Sequence, residues 1–76
     1  MTAQLHEEVV LNCDLPDEGL KVGDLGTIVH VYDGGYEVEF FTAAGKTRSV
    51  LTLRAKDVRS ISEDEMVAVR PLSAVG

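Results

Sequence analysis

The chain has 76 residues and a mass of 8.2 kDa, so we expect one small domain. Thirteen acidic and seven basic residues give a formal net charge of −6, and 45% of the residues are hydrophobic, which is typical of a globular chain. No apolar run approaches the ~20 residues of a membrane helix, and the single cysteine, Cys13, excludes an intrachain disulfide. Glu7 and Glu8 lie where a secretory signal would be apolar, so we expect a cytoplasmic protein.

Short segments rich in β-branched and aromatic residues alternate with glycines and prolines, which predicts an all-β fold of five antiparallel strands. Residues 54–57 are too few for an α-helix and predict one 3₁₀ turn before the last strand. We expect a small closed or nearly closed barrel, because an open sheet would leave its edges exposed. The predicted strands are Glu8–Leu15, Gly26–Tyr32, Tyr36–Phe41, Lys46–Leu53 and Val58–Ile61.

Asp33–Gly35 predicts a tight hairpin with positive φ at one or both glycines, and Gly26 predicts a bulge or a close backbone approach. Alternation along the strands places Cys13 on a buried face as an inert thiol. It also separates Phe41 from the core, under the C-terminal tail or in an interface, because the preceding phenylalanine faces inward. The predicted core is Val9, Leu11, Val29, Val31, Val38, Phe40, Leu51, Leu53 and Val58.

The tail, residues 62–76, gives conflicting signals. Ser62–Glu65 matches a helix capping box, but Met66–Arg70 is rich in valine and Pro71 would stop a helix within about two turns. We predict an extended segment, with a short helix and a sixth strand as the alternatives. The last few residues are expected to be mobile.

The segment Lys21–Val29, with the sequence KVGDLGTIV, resembles the opening turn and strand of SH3-like barrels and of the KOW element in ribosomal and transcription proteins. Together with Leu15–Leu20, Gly35–Phe40 and Leu51–Leu53, it is similar to a family of small uncharacterised bacterial proteins. The resemblance covers residues 8–61 and implies an SH3-like barrel. It implies no activity and no catalytic residues.

Few residues are suited to chemistry. His6, His30 and Cys13 are too scattered for a zinc site, and no serine or cysteine partner for a histidine base is evident. Glu37 and Glu39 alternate along a strand, which favours a solvated face over a cation site with Asp33. We therefore predict a protein that is not an enzyme and uses no metal or cofactor.

Charge is distributed unevenly along the chain. Residues 1–45 contain nine acids and one base, whereas residues 46–59 contain five bases and one acid. One interpretation is a solubilising surface of mutually offsetting charges. The other is a protein-interaction module, for example a small acidic bacterial accessory or antidote protein, that binds a basic partner chain.

The residues predicted to contact that partner are Tyr32, Tyr36, Glu37, Glu39 and Phe41. The alternative function is KOW-like binding of RNA through the basic residues of Lys46–Arg59, although a net charge of −6 opposes attraction to phosphate. The sequence is also compatible with a homo-oligomer.

Overall fold

A computed structural model describes residues 3–72. All strand pairs are antiparallel, and the strands form one sheet in the order β4-β3-β2-β1-β5. The predicted all-β fold, with five antiparallel strands and a 3₁₀ turn before the last one, is confirmed. The elements are β1 (Glu8–Leu11), the 3₁₀ turn η1 (Pro16–Glu18), β2 (Leu25–Tyr32), β3 (Gly35–Phe41), β4 (Thr47–Arg54), the 3₁₀ turn η2 (Ala55–Asp57) and β5 (Val58–Ser60).

The sheet must curl, because β4 and β5 are its opposite edges and yet only the three residues of η2 separate them. Four residue steps of chain, from Arg54 to Val58, span at most about 14 Å. In a flat sheet, four strand spacings would place the two edges about 19 Å apart. The curl brings the edges toward each other at the η2 end, which is the geometry that a nearly closed barrel requires.

β1 ends at Leu11 rather than at the predicted Leu15. The chain leaves the ladder at Asn12, whose backbone N–H donates to the Asp57 carbonyl at 2.8 Å and whose side-chain amide donates to the Val58 carbonyl at 3.2 Å. Cys13 therefore lies beyond the strand and is half-buried rather than fully buried. The other strand boundaries agree with the prediction to within one residue.

A β-bulge at Val29 changes which residues of β2 face the core. Ile28 pairs with Val38 and His30 pairs with Glu37, so Val29 is one extra residue on its strand. The prediction of Val29 and Val31 as core residues is wrong: Val29 is half-buried because it precedes the change of face, and Val31 is 43% exposed because it lies near the hairpin tip.

The remainder of the predicted core is confirmed, with Leu51 packed against it as a partly buried residue. Leu20, Ile28 and Tyr36 are buried with it and were not predicted there. The confirmed buried residues are Val9, Leu11, Val38, Phe40, Leu53 and Val58.

The glycines of the hairpin and of β2 act through two different constraints. Gly34 has a φ of +79°, which confirms the predicted positive φ at one glycine of the turn. A Cβ at Gly35 would lie 2.5 Å from the Leu53 carbonyl oxygen, and a Cβ at Gly26 would lie 2.6 Å from Cγ1 of Val38. The predicted close approach at Gly26 is therefore confirmed.

Residues 61–72 have no regular secondary structure, so the predicted extended tail is confirmed up to Leu72 and neither alternative forms there. The Glu65 carboxylate accepts a hydrogen bond from the Ser62 N–H at 2.8 Å, as in a capping box, but only a turn follows. The prediction for residues 73–76 lies outside the described residues. No helix in the described part of the chain has the length and apolar character of a membrane span.

Candidate protein-interaction surface

The face of the sheet that points away from the core carries a band of acidic side chains. Glu39 lies opposite Thr27 and Val50, and Glu37 lies opposite His30 and Thr52. Glu8 joins this band because Thr27 also pairs with it. We call this surface the outer acidic face; its residues are Glu8, Thr27, His30, Glu37, Glu39, Val50 and Thr52.

The carboxylates of the outer acidic face form no ion pair with any residue that the structure describes. Within residues 3–72 the ion pairs are Arg59–Glu65 and Arg70–Asp24, and neither involves this face. Glu8 is exposed and Glu37 is half-buried. Glu39, also half-buried, accepts a hydrogen bond from the Thr47 hydroxyl. The face therefore carries three carboxylates without an ion pair in the described part of the chain, and Arg54, opposite Gly35, borders it at the hairpin tip.

Tyr32 borders the outer acidic face at the hairpin tip, where it is 45% exposed. Its ring centroid lies 4.5 Å from that of His30. Gly35 lies between Tyr32 and Arg54 in the sheet, and the missing side chain leaves a shallow depression of about 260 Å³ there. An aromatic wall beside such a depression suits one inserted side chain of a partner.

The other two aromatic candidates lie elsewhere. Phe41 is 38% exposed, whereas Phe40 is 2% exposed, so the prediction that Phe41 lies outside the core is confirmed. Phe41 and Tyr32 occupy opposite ends of the β2–β3 hairpin, about 20 Å apart along the strand. Tyr36 is 7% exposed and its hydroxyl accepts a hydrogen bond from the Ala3 N–H at 3.2 Å. The expectation that Tyr36 is an exposed anchor is wrong, because it shares the inward face with Val38.

The basic residues of Lys46–Arg59 divide between the two ends of β4. Lys46 and Arg48 lie at its start, and Arg48 donates a hydrogen bond to the Glu18 carbonyl at 3.1 Å. Arg54 and Lys56 lie at its end, about 24 Å away along an eight-residue strand. Arg59, on β5, is committed to Glu65.

Sequence reasoning missed the tertiary contacts of the tail. Residues Glu65–Leu72, here called the strap, are fixed at both ends by ion pairs. Arg59 holds Glu65 through two hydrogen bonds of 2.8 Å. Arg70 donates to both carboxylate oxygens of Asp24, at 2.7 and 2.5 Å, and to the Gly19 carbonyl at 3.0 Å. The sequence marks Asp24 only as a turn residue, and nothing local signals a partner 46 positions away.

Both anchoring carboxyls have lowered pKa values. The hydrogen bonds from Arg59 are the largest cause that lowers the pKa of Glu65, to about 2. Partial burial acts to raise the pKa of Asp24, but the hydrogen bonds and charge of Arg70 outweigh it, so this pKa lies below its ordinary value. Both ion pairs are therefore formed at neutral pH.

A groove of about 400 Å³ lies between the strap and the sheet. Leu20, Leu25 and Phe41 line it from the sheet side, and Val67 and Leu72 line it from the strap. Phe41 and the strap therefore line the same groove, and the location of Phe41 under the tail stays a prediction.

The residues considered for chemistry do not converge. His6 lies in the turn before β1, where its N–H donates to the Ile28 carbonyl at 2.7 Å, whereas His30 lies on the outer acidic face. The sulfur of Cys13 lies 3.9 Å from Oδ1 of Asp57. Among residues 3–72, no three His, Cys, Asp or Glu side chains are grouped as a metal site would require.

The comparisons with known proteins identify a family and no activity. No curated protein and no solved structure matches the chain. A family model described as a domain of unknown function, DUF4926, matches residues 5–60. This range contains all five strands and the whole outer acidic face, and it ends before the strap. By this match over most of its length, the chain belongs to the DUF4926 family.

Proposed function

We propose that this protein is a non-enzymatic interaction module of the bacterial cytoplasm, built as an SH3-like barrel, that binds a basic partner chain through its outer acidic face. The observation that carries the proposal is the strand register, which gathers Glu8, Glu37 and Glu39 on one face without an ion pair among residues 3–72. An accessory or antidote protein is a role that such a module fills.

The surface supplies two kinds of interaction. The carboxylates attract lysine and arginine side chains over a range of about one Debye length, which raises the association rate and selects against acidic partners. Tyr32 and the depression over Gly35 supply a site where apolar area is buried. Truncation of an aromatic anchor typically costs about 2 kcal/mol or more of binding free energy.

The experiment identifies the partner and tests the face together. A photo-reactive phenylalanine analogue replaces Tyr32 in the chain, expressed in its native host, and cross-linked proteins are identified by mass spectrometry. The test variant combines Glu37→Lys and Glu39→Lys. The matched control combines Asp17→Lys and Glu18→Lys, which changes the net charge equally on the exposed η1 turn.

We expect one cross-linked partner with a basic surface. The purified complex should weaken as salt rises, and the test variant should bind at least about tenfold more weakly than the control. Equal binding by the two variants would remove the outer acidic face from the interaction. Labelled RNA is titrated in parallel at about 150 mM salt, where we expect no saturable binding. A micromolar RNA complex lost in Arg48→Ala, Arg54→Ala would overturn the proposal in favour of RNA binding.

A further inference from the structure

We propose that Met66–Val69 of the strap pairs as an antiparallel β-strand with the same segment of a second copy of this chain, forming a weak symmetric dimer. These four residues read Met-Val-Ala-Val, with no charge and two β-branched side chains, a composition typical of strands. They are also the most exposed apolar run of the described residues: Met66 and Val69 are 93% exposed and Val67 is 63% exposed.

The backbone of this segment is free to pair. Among residues 62–72 of the described chain, one backbone–backbone hydrogen bond forms, from the Glu65 N–H to the Ser62 carbonyl. Within the described residues the N–H and C=O groups of Met66–Val69 therefore have no hydrogen-bond partner, as on the open edge of a sheet. Such an edge accepts a further strand, and native proteins normally blunt it with a charge or a proline. Neither occurs between Met66 and Val69.

The segment is held in place before any partner arrives. Arg59 fixes it at Glu65, and Asp24 fixes it at Arg70. Ordering a free backbone costs roughly 1–2 kcal/mol per residue, and fixed ends reduce this cost on association.

The charged residues that flank the segment favour a second copy of this chain as the partner, and they favour antiparallel over parallel pairing. Glu63, Asp64 and Glu65 precede the segment, and Arg70 follows it. A two-fold axis at Val67 pairs the two copies antiparallel and sets Asp64 of each opposite Arg70 of the other, whereas parallel pairing would set the two acidic clusters side by side. Asp64 is exposed and the Arg70 side chain keeps 28% exposure, so both are accessible to the second copy.

The same register completes an apolar ladder. With Asp64 opposite Arg70, Val67 lies opposite Val67 of the second copy and Met66 lies opposite its Ala68. Because opposite residues share a face, each face of the two-stranded ribbon carries four apolar side chains, two from each copy. Four residues from each copy bury far less than the ~1,200 Å² of a standard interface, so we expect a dissociation constant on the order of 0.1–1 mM.

The effect of salt on binding distinguishes this inference from the proposed function, on which the inference does not depend. Two copies of net charge −6 repel each other, so added salt should strengthen the dimer, whereas it should weaken the complex with a basic partner. Either proposal can therefore fail without the other.

The test is sedimentation equilibrium of the full chain up to about 1 mM protein, at about 20 and about 300 mM salt. Ala68→Pro removes one N–H from the middle of the segment and Ala68→Thr, the matched control, keeps it. Ala68 is exposed and lies outside the sheet, so both variants should keep the wild-type circular dichroism spectrum. We expect a monomer–dimer equilibrium that Ala68→Pro weakens at least about tenfold and that Ala68→Thr preserves.

Three results would overturn the proposal. The first is a monomer at every concentration and salt level. The second is equal dimerisation of Ala68→Pro and the wild type, which would indicate contact through side chains or another surface. The third is a dimer that added salt weakens.

Discussion

Phe40 and Phe41 are neighbours on β3 with opposite environments, so truncating each tests the register of the hairpin. Phe40 is 2% exposed in the core and Phe41 is 38% exposed beside the strap. A buried phenylalanine removes roughly 150–200 Å² of apolar surface from water, worth about 4–5 kcal/mol. We expect Phe40→Ala to cost ~3–5 kcal/mol, close to the whole stability of a domain this small. Phe41→Ala should cost about 1–2 kcal/mol, since it opens an existing groove.

The measurement is urea denaturation followed by far-ultraviolet circular dichroism, with midpoint and slope fitted for each variant. Phe40→Leu is the control, because it keeps most of the apolar volume and should lose much less stability than Phe40→Ala. If Phe41→Ala cost as much as Phe40→Ala, the strand would be shifted by one residue, and Glu37 and Glu39 would leave the outer face.

Further predictions concern the hairpin and the strap. Gly35→Ala should destabilise by more than ~2 kcal/mol in urea, because the added Cβ meets a backbone carbonyl of β4 at 2.5 Å. Asp24→Asn should lower the NMR backbone order parameters of residues 66–70 and leave those of β1–β5 unchanged. In ¹³C NMR titrations, the Glu65 carboxyl should titrate near pH 2, and Arg59→Gln should move its midpoint toward 4.5. The folded-state pKa is the lower one, so this pair's contribution to stability is complete above pH 4.5 and is lost as the pH falls through about 2.

Local chemistry predicted the hairpin, and long-range contacts explain the failures. Alternation of Glu37 and Glu39 with apolar residues fixed the faces of β3, because one face of the sheet is buried and the other wet. The end of β1 escaped prediction because Asn12 makes its hydrogen bonds with residues 44 and 46 positions away. A local pattern carries no information about such partners.

Strand periodicity predicted part of the candidate site, and the rest depends on how the strands pair. Glu37 and Glu39 belong to one strand, so periodicity alone placed them on the outer face. Glu8 joins them through the pairing of β1 with β2, which requires the register. Tyr36 was predictable as a core residue from its alternation with Val38, and its selection as an anchor followed residue type instead of position.

One extra residue in β2 decides what the outer acidic face contains. Ile28 points into the core, so unbroken alternation would turn His30 and Tyr32 inward and Val31 outward. That arrangement would turn an imidazole toward the core, where a polar ring without a hydrogen-bond partner is destabilising. The bulge at Val29 turns the strand over, so His30 pairs with Glu37 on the solvent side and Val31 pairs with the buried Tyr36. Tyr32 reaches the acidic band by the same step, so the bulge that keeps polar rings out of the core also gives the proposed interface its aromatic side chain.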